Sequence, residues 1–251
     1  MKKILLGTVG LIALGVVPAS AADLAARPYT KAPPMIQAAV YDWTGFYIGG
    51  NAGWGNSHNS WNLLNPDGTT FGSEGSNNAD GGFVGGQIGY RWQAGTWVFG
   101  VEAQGDWADF SGSNISPITG FTNRSRLDAF GLFTGQIGYA WNNVLAYVKG
   151  GAAVVDNRYD IYGPVSGALF GSSSDQTNWG GTVGAGVEVG FAPNWTVGVE
   201  YDHIFLQDRT VNFNTPAGFG FGSDRIRQDV DMVAVRLNYK FGWGAGAIAK
   251  Y

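Results

Sequence analysis

His58 and His203 are the two side chains of this sequence suited to acid–base or metal chemistry near neutral pH. His58 stands beside Ser57 and Ser60 with no acid at a fixed spacing. His203 follows Asp202, but adjacent strand residues point to opposite faces, and Phe205 holds the i+2 position where a serine would be needed. Neither histidine makes a nucleophile–base set, and no catalytic residue is assigned: the chain does not read as an enzyme. Glu102 and Asp106 have the composition of a general acid–base pair, yet bases on the same face make ion pairing the simpler use for them. The glycine-rich run 180–186 lacks the Lys-Thr and the following helix of a phosphate loop. Asp67 and Glu74 match no cation-binding loop spacing. With no cysteine there is no disulfide, thiol nucleophile or thiolate metal site. No cofactor or metal is expected.

The elements that carry these residues repeat. Gly86-Gln87-Ile88-Gly89-Tyr90-Arg91-Trp92 returns as Gly135-Gln136-Ile137-Gly138-Tyr139-Ala140-Trp141, each copy running through a short turn into a second alternating stretch. A third hairpin turns at Ala192-Pro193-Asn194. Period-2 alternation places eight strands near 43–54, 82–92, 97–107, 126–141, 144–154, 179–191, 195–203 and 229–241. Short connections follow the second, fourth and sixth strands; long ones rich in Gly, Asn and Ser follow the others. Tyr90, Trp92, Trp97, Tyr139, Trp141, Phe191 and Trp195 cluster at the short-turn end. Amphipathic rings settle at the headgroup level of a bilayer, so these seven are expected to form an aromatic girdle. The pattern predicts an all-β fold: an eight-stranded antiparallel up-and-down transmembrane β-barrel with short periplasmic turns and four long extracellular loops.

The apolar stretch on one face of each strand is free of charge. Trp97, Phe99, Val101, Ala103 and Trp107 oppose Glu102, Gln104 and Asp106; Val233, Val235, Leu237, Tyr239 and Phe241 oppose Arg236, Asn238 and Lys240. An Arg or Lys on the lipid side would cost about 2–4 kcal/mol at the midplane. A soluble lipocalin-type barrel gives the same alternation with its apolar face inward; aromatics at the strand ends argue against it. Read inward, the strands supply Arg91, Glu102, Asp106, Arg126, Asp128, Lys149, Glu188, Glu200, Asp202, Arg236 and Lys240. Eight strands enclose a space that side chains fill, and buried charges must pair. The expectation is a lumen plugged by an ion-pair network.

Targeting signals sit at the N-terminus. Lys2 and Lys3, the apolar stretch from Ile4 to Val17 and Ala19-Ser20-Ala21 form a secretory signal peptide over 1–21, with cleavage between Ala21 and Ala22. Residues 22–40, with Pro28, Pro33 and Pro34, read as a disordered Pro/Ala-rich leader, 41–241 as the barrel and 242–251 as a C-terminal tail. Loss of the two lysines leaves 13 bases against 19 acids, net −6, which disfavours nucleic acid as a partner. The 41 glycines follow no collagen period and fall inside alternating segments.

The stretch Trp43-Thr44-Gly45-Phe46-Tyr47-Ile48-Gly49-Gly50-Asn51-Ala52-Gly53 after an Ala-Ala-Asp-Leu leader, and the closing Arg236-Leu237-Asn238-Tyr239-Lys240-Phe241, resemble the small outer-membrane proteins of alphaproteobacteria. That family includes the 25- and 31-kilodalton surface antigens of brucellae and the hemin-binding proteins of bartonellae. The resemblance implies a surface-exposed structural barrel in the outer membrane of a Gram-negative cell. In it, Tyr239 and Phe241 would form the signal read by the barrel-insertion machinery. The expected partners are outer-membrane lipids, that machinery, and an extracellular or host ligand at the loops. The alternatives are a narrow porin for small solutes or ions and a hemin-binding surface protein, for which His58, His203, Met35 and Met232 are the conceivable softer ligands.

Overall fold

Alternation of apolar and polar residues over long spans can be satisfied by strands whose two faces meet different surroundings. The computed structural model describes residues 41–165, 167–215 and 220–241. The signal peptide, its cleavage at Ala21 and Ala22, the leader and the 242–251 tail lie outside the described residues. Nine strands form: β1 (Gly45–Leu64), β2 (Thr70–Ala94), β3 (Trp97–Ile115), β4 (Thr122–Trp141), β5 (Val144–Tyr162), β6 (Leu169–Ala192), β7 (Trp195–Leu206), β8 (Arg209–Asn214) and β9 (Gly220–Phe241). All neighbours pair antiparallel, and β9 returns to β1 from Phe46 opposite Phe241 to Leu63 opposite Asp224. That pairing closes a ring of eight strand positions; in the collar β8 meets β6 at a single described pair, Ser172 opposite Asn214. β8 continues the line of β7 beyond a break at residues 207–208: β7 ends with Phe205 opposite Asp229, and β8 resumes with Arg209 opposite Ile226.

The turns β2–β3, β4–β5 and β6–β7 are each two residues long (95–96, 142–143 and 193–194). Gly95 (φ 66°) and Asn142 (φ 52°) take the left-handed geometry that tight hairpins require. At the other end the strands run well past the limits read from periodicity. What reads as long loop is largely a collar of paired strand, and the connections at its rim shrink to 65–69, 116–121, 163–168 and 215–219. The polar Ser, Asn and Gly of those stretches obscured the pairing, because a collar above a membrane needs no apolar outer face.

Two levels of outward aromatics bracket the apolar wall. At the short-turn end Trp92, Trp97, Trp141, Phe191 and Trp195 are exposed, with Tyr90 and Tyr139 partly so. Ring contacts continue the belt through Trp97–Tyr139 (5.6 Å), Tyr139–Trp141 (4.9 Å), Trp195–Tyr239 (5.0 Å), Tyr239–Phe241 (5.2 Å) and Phe46–Tyr90 (4.7 Å). Trp54, Trp107, Trp179 and Phe205 face outward toward the collar. Trp97 and Trp107 lie ten residues apart on β3, about 33 Å along an extended strand. Tilted as barrel strands are, that spans about 25 Å, the height of an outer-membrane apolar band.

Candidate functional site: a filled lumen and its outer mouth

The interior is layered. Residues 41–44 turn into the short-turn mouth, where Trp43 is buried with Val98, Ala140, Leu145 and Tyr147, and Tyr41 packs against them. The Trp43 amide donates to Gln93 (2.9 Å). This floor lies directly under a charged layer: the Arg91 guanidinium stands 5.8 Å from the Trp43 ring, 4.6 Å from Tyr47 and 5.5 Å from Tyr147.

In the charged layer Arg91 binds Glu188 through both terminal nitrogens, at 2.7 and 2.8 Å. Glu188 also accepts from Thr196 (3.0 Å) and Asn238 (3.0 Å). Arg236 reaches both Glu102 and Glu200. Lys149 lies 2.7 Å from Glu200, 3.3 Å from Asp202 and 3.6 Å from Glu102. Two tyrosines complete the set: Tyr47 donates to Glu102 (2.6 Å) and Tyr147 to Glu200 (2.5 Å). The Asp106 carboxylate accepts from Gln104 (2.9 Å). The repeated glutamines of the two similar phrases face inward, Gln136 donating to Tyr47 (3.0 Å) and Gln87 to Asn238 (2.7 Å).

Inward glycines make this crowding possible. A Cβ on Gly89 would lie 2.4 Å from the Tyr47 hydroxyl, and one on Gly186 2.6 Å from the Tyr147 hydroxyl. The 180–186 run is thus strand, paired to β5 and β7, whose missing side chains leave room for lumen groups.

Eight of the eleven charges read as inward lie here: Arg91, Glu102, Asp106, Lys149, Glu188, Glu200, Asp202 and Arg236 are all buried. Three do not. Arg126 and Asp128 share the inward parity only if β4 is regular. The pairing with β5 skips from Leu127 to Ala129, so Asp128 is an extra residue, and from Leu127 into the collar the parity inverts. Asn123, Ser125 and Leu127 therefore face in, and Arg126 lies on the outer wall of the collar, opposite Ser111 and Arg158. Lys240 is only half-buried. It donates to the Asp42 carbonyl and lies 5.0 Å from the Tyr41 ring, at the mouth below the network.

Above the charges the lumen becomes apolar, which the sequence reading missed. Phe83, Phe110, Leu127, Phe130, Leu132, Ile204, Val230 and Met232 form one buried cluster, with Phe83 5.3 Å from Phe130 and 6.3 Å from Phe110. A polar tier follows, where Gln228 bonds Ser57 (2.8 Å) and Asn157 (3.0 Å). A second apolar tier of Trp61, Tyr159, Ile161, Val211, Phe213 and Ile226 lies higher in the collar. The alternation was legible for Phe83, and Phe110 keeps the inward parity of Glu102, Gln104 and Asp106 but lies beyond the limit read at 107; for Leu127 it was hidden, because the register shift after Leu127 on β4 reverses it.

The remaining candidates are scattered. His203 Nδ1 lies 2.7 Å from Asp231 Oδ1, which also accepts from Tyr201 (2.5 Å), all on the outer wall near Phe205. The acid partner comes from β9 across the sheet, not from the neighbouring Asp202. His58 is on the outer face too, 2.7 Å from Asn78. Met232 points inward to the aromatic cluster, so these softer ligands do not converge; Met35 lies outside the described residues. Asp67, at the exposed tip of 65–69, accepts from the amide and hydroxyl of Thr69 (2.9 and 2.6 Å). Those bonds hold its carboxyl below the usual range. Glu74 is buried elsewhere, in the collar mouth.

A family model described as outer membrane protein beta-barrel domain matches residues 9–241. The 31 kDa outer-membrane immunogenic protein of Brucella melitensis is 30% identical over 263 aligned positions, covering 96% of this chain and 100% of that protein. The 22 kDa outer membrane protein of Rhizobium leguminosarum is 33% identical over 201, covering 79% and 78%. Among solved structures, the outer membrane protease OmpT from Escherichia coli superposes with a TM-score of 0.50 at 10% identity, over 78% of this chain and 97% of that one, a likeness of fold alone.

Proposed function

Because the chain belongs to the outer membrane protein beta-barrel domain family, we propose that this outer-membrane protein is a structural, surface-exposed barrel whose lumen is shut by its own side chains. The observation that carries the reading is the Arg91–Glu188 pair. It joins β2 to β6, four positions apart in a ring of eight, between the Trp43 floor and the Phe83–Phe110–Phe130 tier. Water entering from either end would have to cross an apolar layer before it reached the Arg91–Glu188 layer. The outward belts fit outer-membrane lipid as a partner, Tyr239 and Phe241 fit the role of assembly signal, and the collar rim presents four loops to extracellular or host ligands. Nucleic acid has no place as a partner for an acidic chain. The His203–Asp231 pair faces the outer wall and shares its carboxylate with Tyr201, which supports a non-catalytic reading.

Planar-bilayer recording of refolded full-length protein tests this. The expected result is no steady conductance in the wild type, and none after Arg236→Ala alone, since the aromatic tier remains. Opening is expected when Phe110→Ala is added. Steady open channels from the unmodified protein would move the reading to the narrow porin.

A further inference from the structure

At the outer end of the lumen, above the Trp61 tier, lies a half-enclosed cavity of about 230 Å³. Leu63, Phe121, Ile161 and Phe213 give it apolar walls, and Glu74 and Asp224 are its charged groups. The two acids differ. Glu74 accepts from Ser116 (3.0 Å) and Thr119 (3.2 Å) at one oxygen and from Asn123 (3.1 Å) at the other, so both its oxygens have partners. Asp224 is 2% exposed, and its Oδ1 has no hydrogen-bond partner among the described residues. Among the described residues no basic side chain lines the cavity. Arg225 is exposed on the opposite face of β9, and Arg209 on β8 is engaged by Asn178 (2.5 Å) and the Thr177 carbonyl.

A buried carboxyl with a free oxygen, a second negative group nearby and aromatic walls together specify a ligand. The acids call for a cation, because a desolvated carboxylate is unfavourable without one. The phenyl faces suit a cation that carries its own apolar surface. A metal ion fits poorly: three protein donors already bind Glu74, and no cluster of three or more acidic or histidine ligands occurs among the described residues. An apolar cavity of about 150 Å³ is enough to hold benzene, so the space suits a single-ring or short-chain molecule. We infer that the collar mouth binds a small organic ammonium, its charged nitrogen on Asp224 and its apolar group between Phe121 and Phe213.

The test is calorimetric titration of the refolded full-length protein with 2-phenylethylammonium, beside its neutral and anionic counterparts 2-phenylethanol and 3-phenylpropionate. The ammonium should bind saturably, and the alcohol and acid at least tenfold more weakly. Asp224→Asn, nearly isosteric, should weaken the ammonium at least tenfold. Gly222→Leu should abolish binding by filling the cavity: a Cβ at Gly222 meets nothing within 4 Å, so the added side chain starts in open space, and this variant, its fold checked by circular dichroism, decides the matter even if Asp224→Asn misfolds. Four results would overturn the inference: no binding, equal binding of alcohol and ammonium, ammonium binding unchanged in either folded variant, or a saturable signal from calcium chloride alone.

Discussion

Arg91 on β2 grips Glu188 on β6 with two parallel hydrogen bonds across the barrel. Neither side chain could reach the other around the wall; they meet because eight strands enclose a space about two side chains wide. Two further hydrogen bonds hold Glu188, from Thr196 and Asn238. Removing one partner leaves a buried charge uncompensated, which costs about 3–5 kcal/mol. Arg91→Ala is expected to lower refolding stability by that order in urea titration, whereas Arg91→Met with Glu188→Leu should recover most of the loss. A double variant as unstable as Arg91→Ala would mean that the pair supplies stability beyond cancelling its own burial.

The lipid level is tested on the outer wall. Val187→Arg on β6, 48% exposed between the two aromatic levels, should destabilise the barrel by about 2–4 kcal/mol in lipid. Ser111→Arg on β3 lies above Trp107 on the outer face of the collar and should change stability by less than about 0.5 kcal/mol. Equal costs at the two positions would place the collar inside the bilayer.

Glycine in the lumen wall is a steric requirement. Gly186→Ala drives a methyl group against the Tyr147 ring, which must shift and lose its 2.5 Å bond to Glu200. A loss of about 1–3 kcal/mol is expected, as for overpacked cores. Gly105→Ala, with nothing within 4 Å, is the control and should be close to neutral. The two variants can be ranked by midpoint in a single denaturant series.

The collar should weaken as pH rises. Burial, with a lesser contribution from Glu74, pushes the Asp224 carboxyl up to about 7; the unfolded value is about 3.9. A folded state that holds a proton more tightly than the unfolded state gains stability at low pH, and loses it as pH climbs between those values. Protease protection of the collar should therefore fall from pH 4 to pH 7 in the wild type. Glu74 is the other charged group lining the cavity, with Arg225 turned outward and Arg209 bonded to Asn178. Asp224→Asn should flatten this part of the profile. A slope unchanged in that variant would assign the effect to another group.

Much of this molecule follows from local pattern. Alternation along the strands fixes an all-β closed sheet, because each strand needs one apolar and one polar surrounding and two-residue turns such as 142–143 force antiparallel neighbours. Parity likewise puts Arg91, Glu102, Glu188, Glu200 and Arg236 on one face, since a period of two persists wherever a strand is regular. Parity says nothing past an irregularity. The extra residue at Asp128 turns Arg126 outward and brings Leu127 in, and no residue type at that position announces a bulge. Which charges pair is also beyond a one-dimensional reading: Arg91 with Glu188, or His203 with Asp231 instead of its neighbour Asp202, depends on which strands closure sets face to face or side by side. The collar was hidden because its strands are rich in Ser, Asn and Gly and lack the apolar stripe of the strands below them. Its buried tiers, from Phe110 to Trp61, and Asp224 above them, its Oδ1 without a hydrogen-bond partner among the described residues, appear only once eight strands converge on one axis, where distance in space no longer tracks distance along the chain.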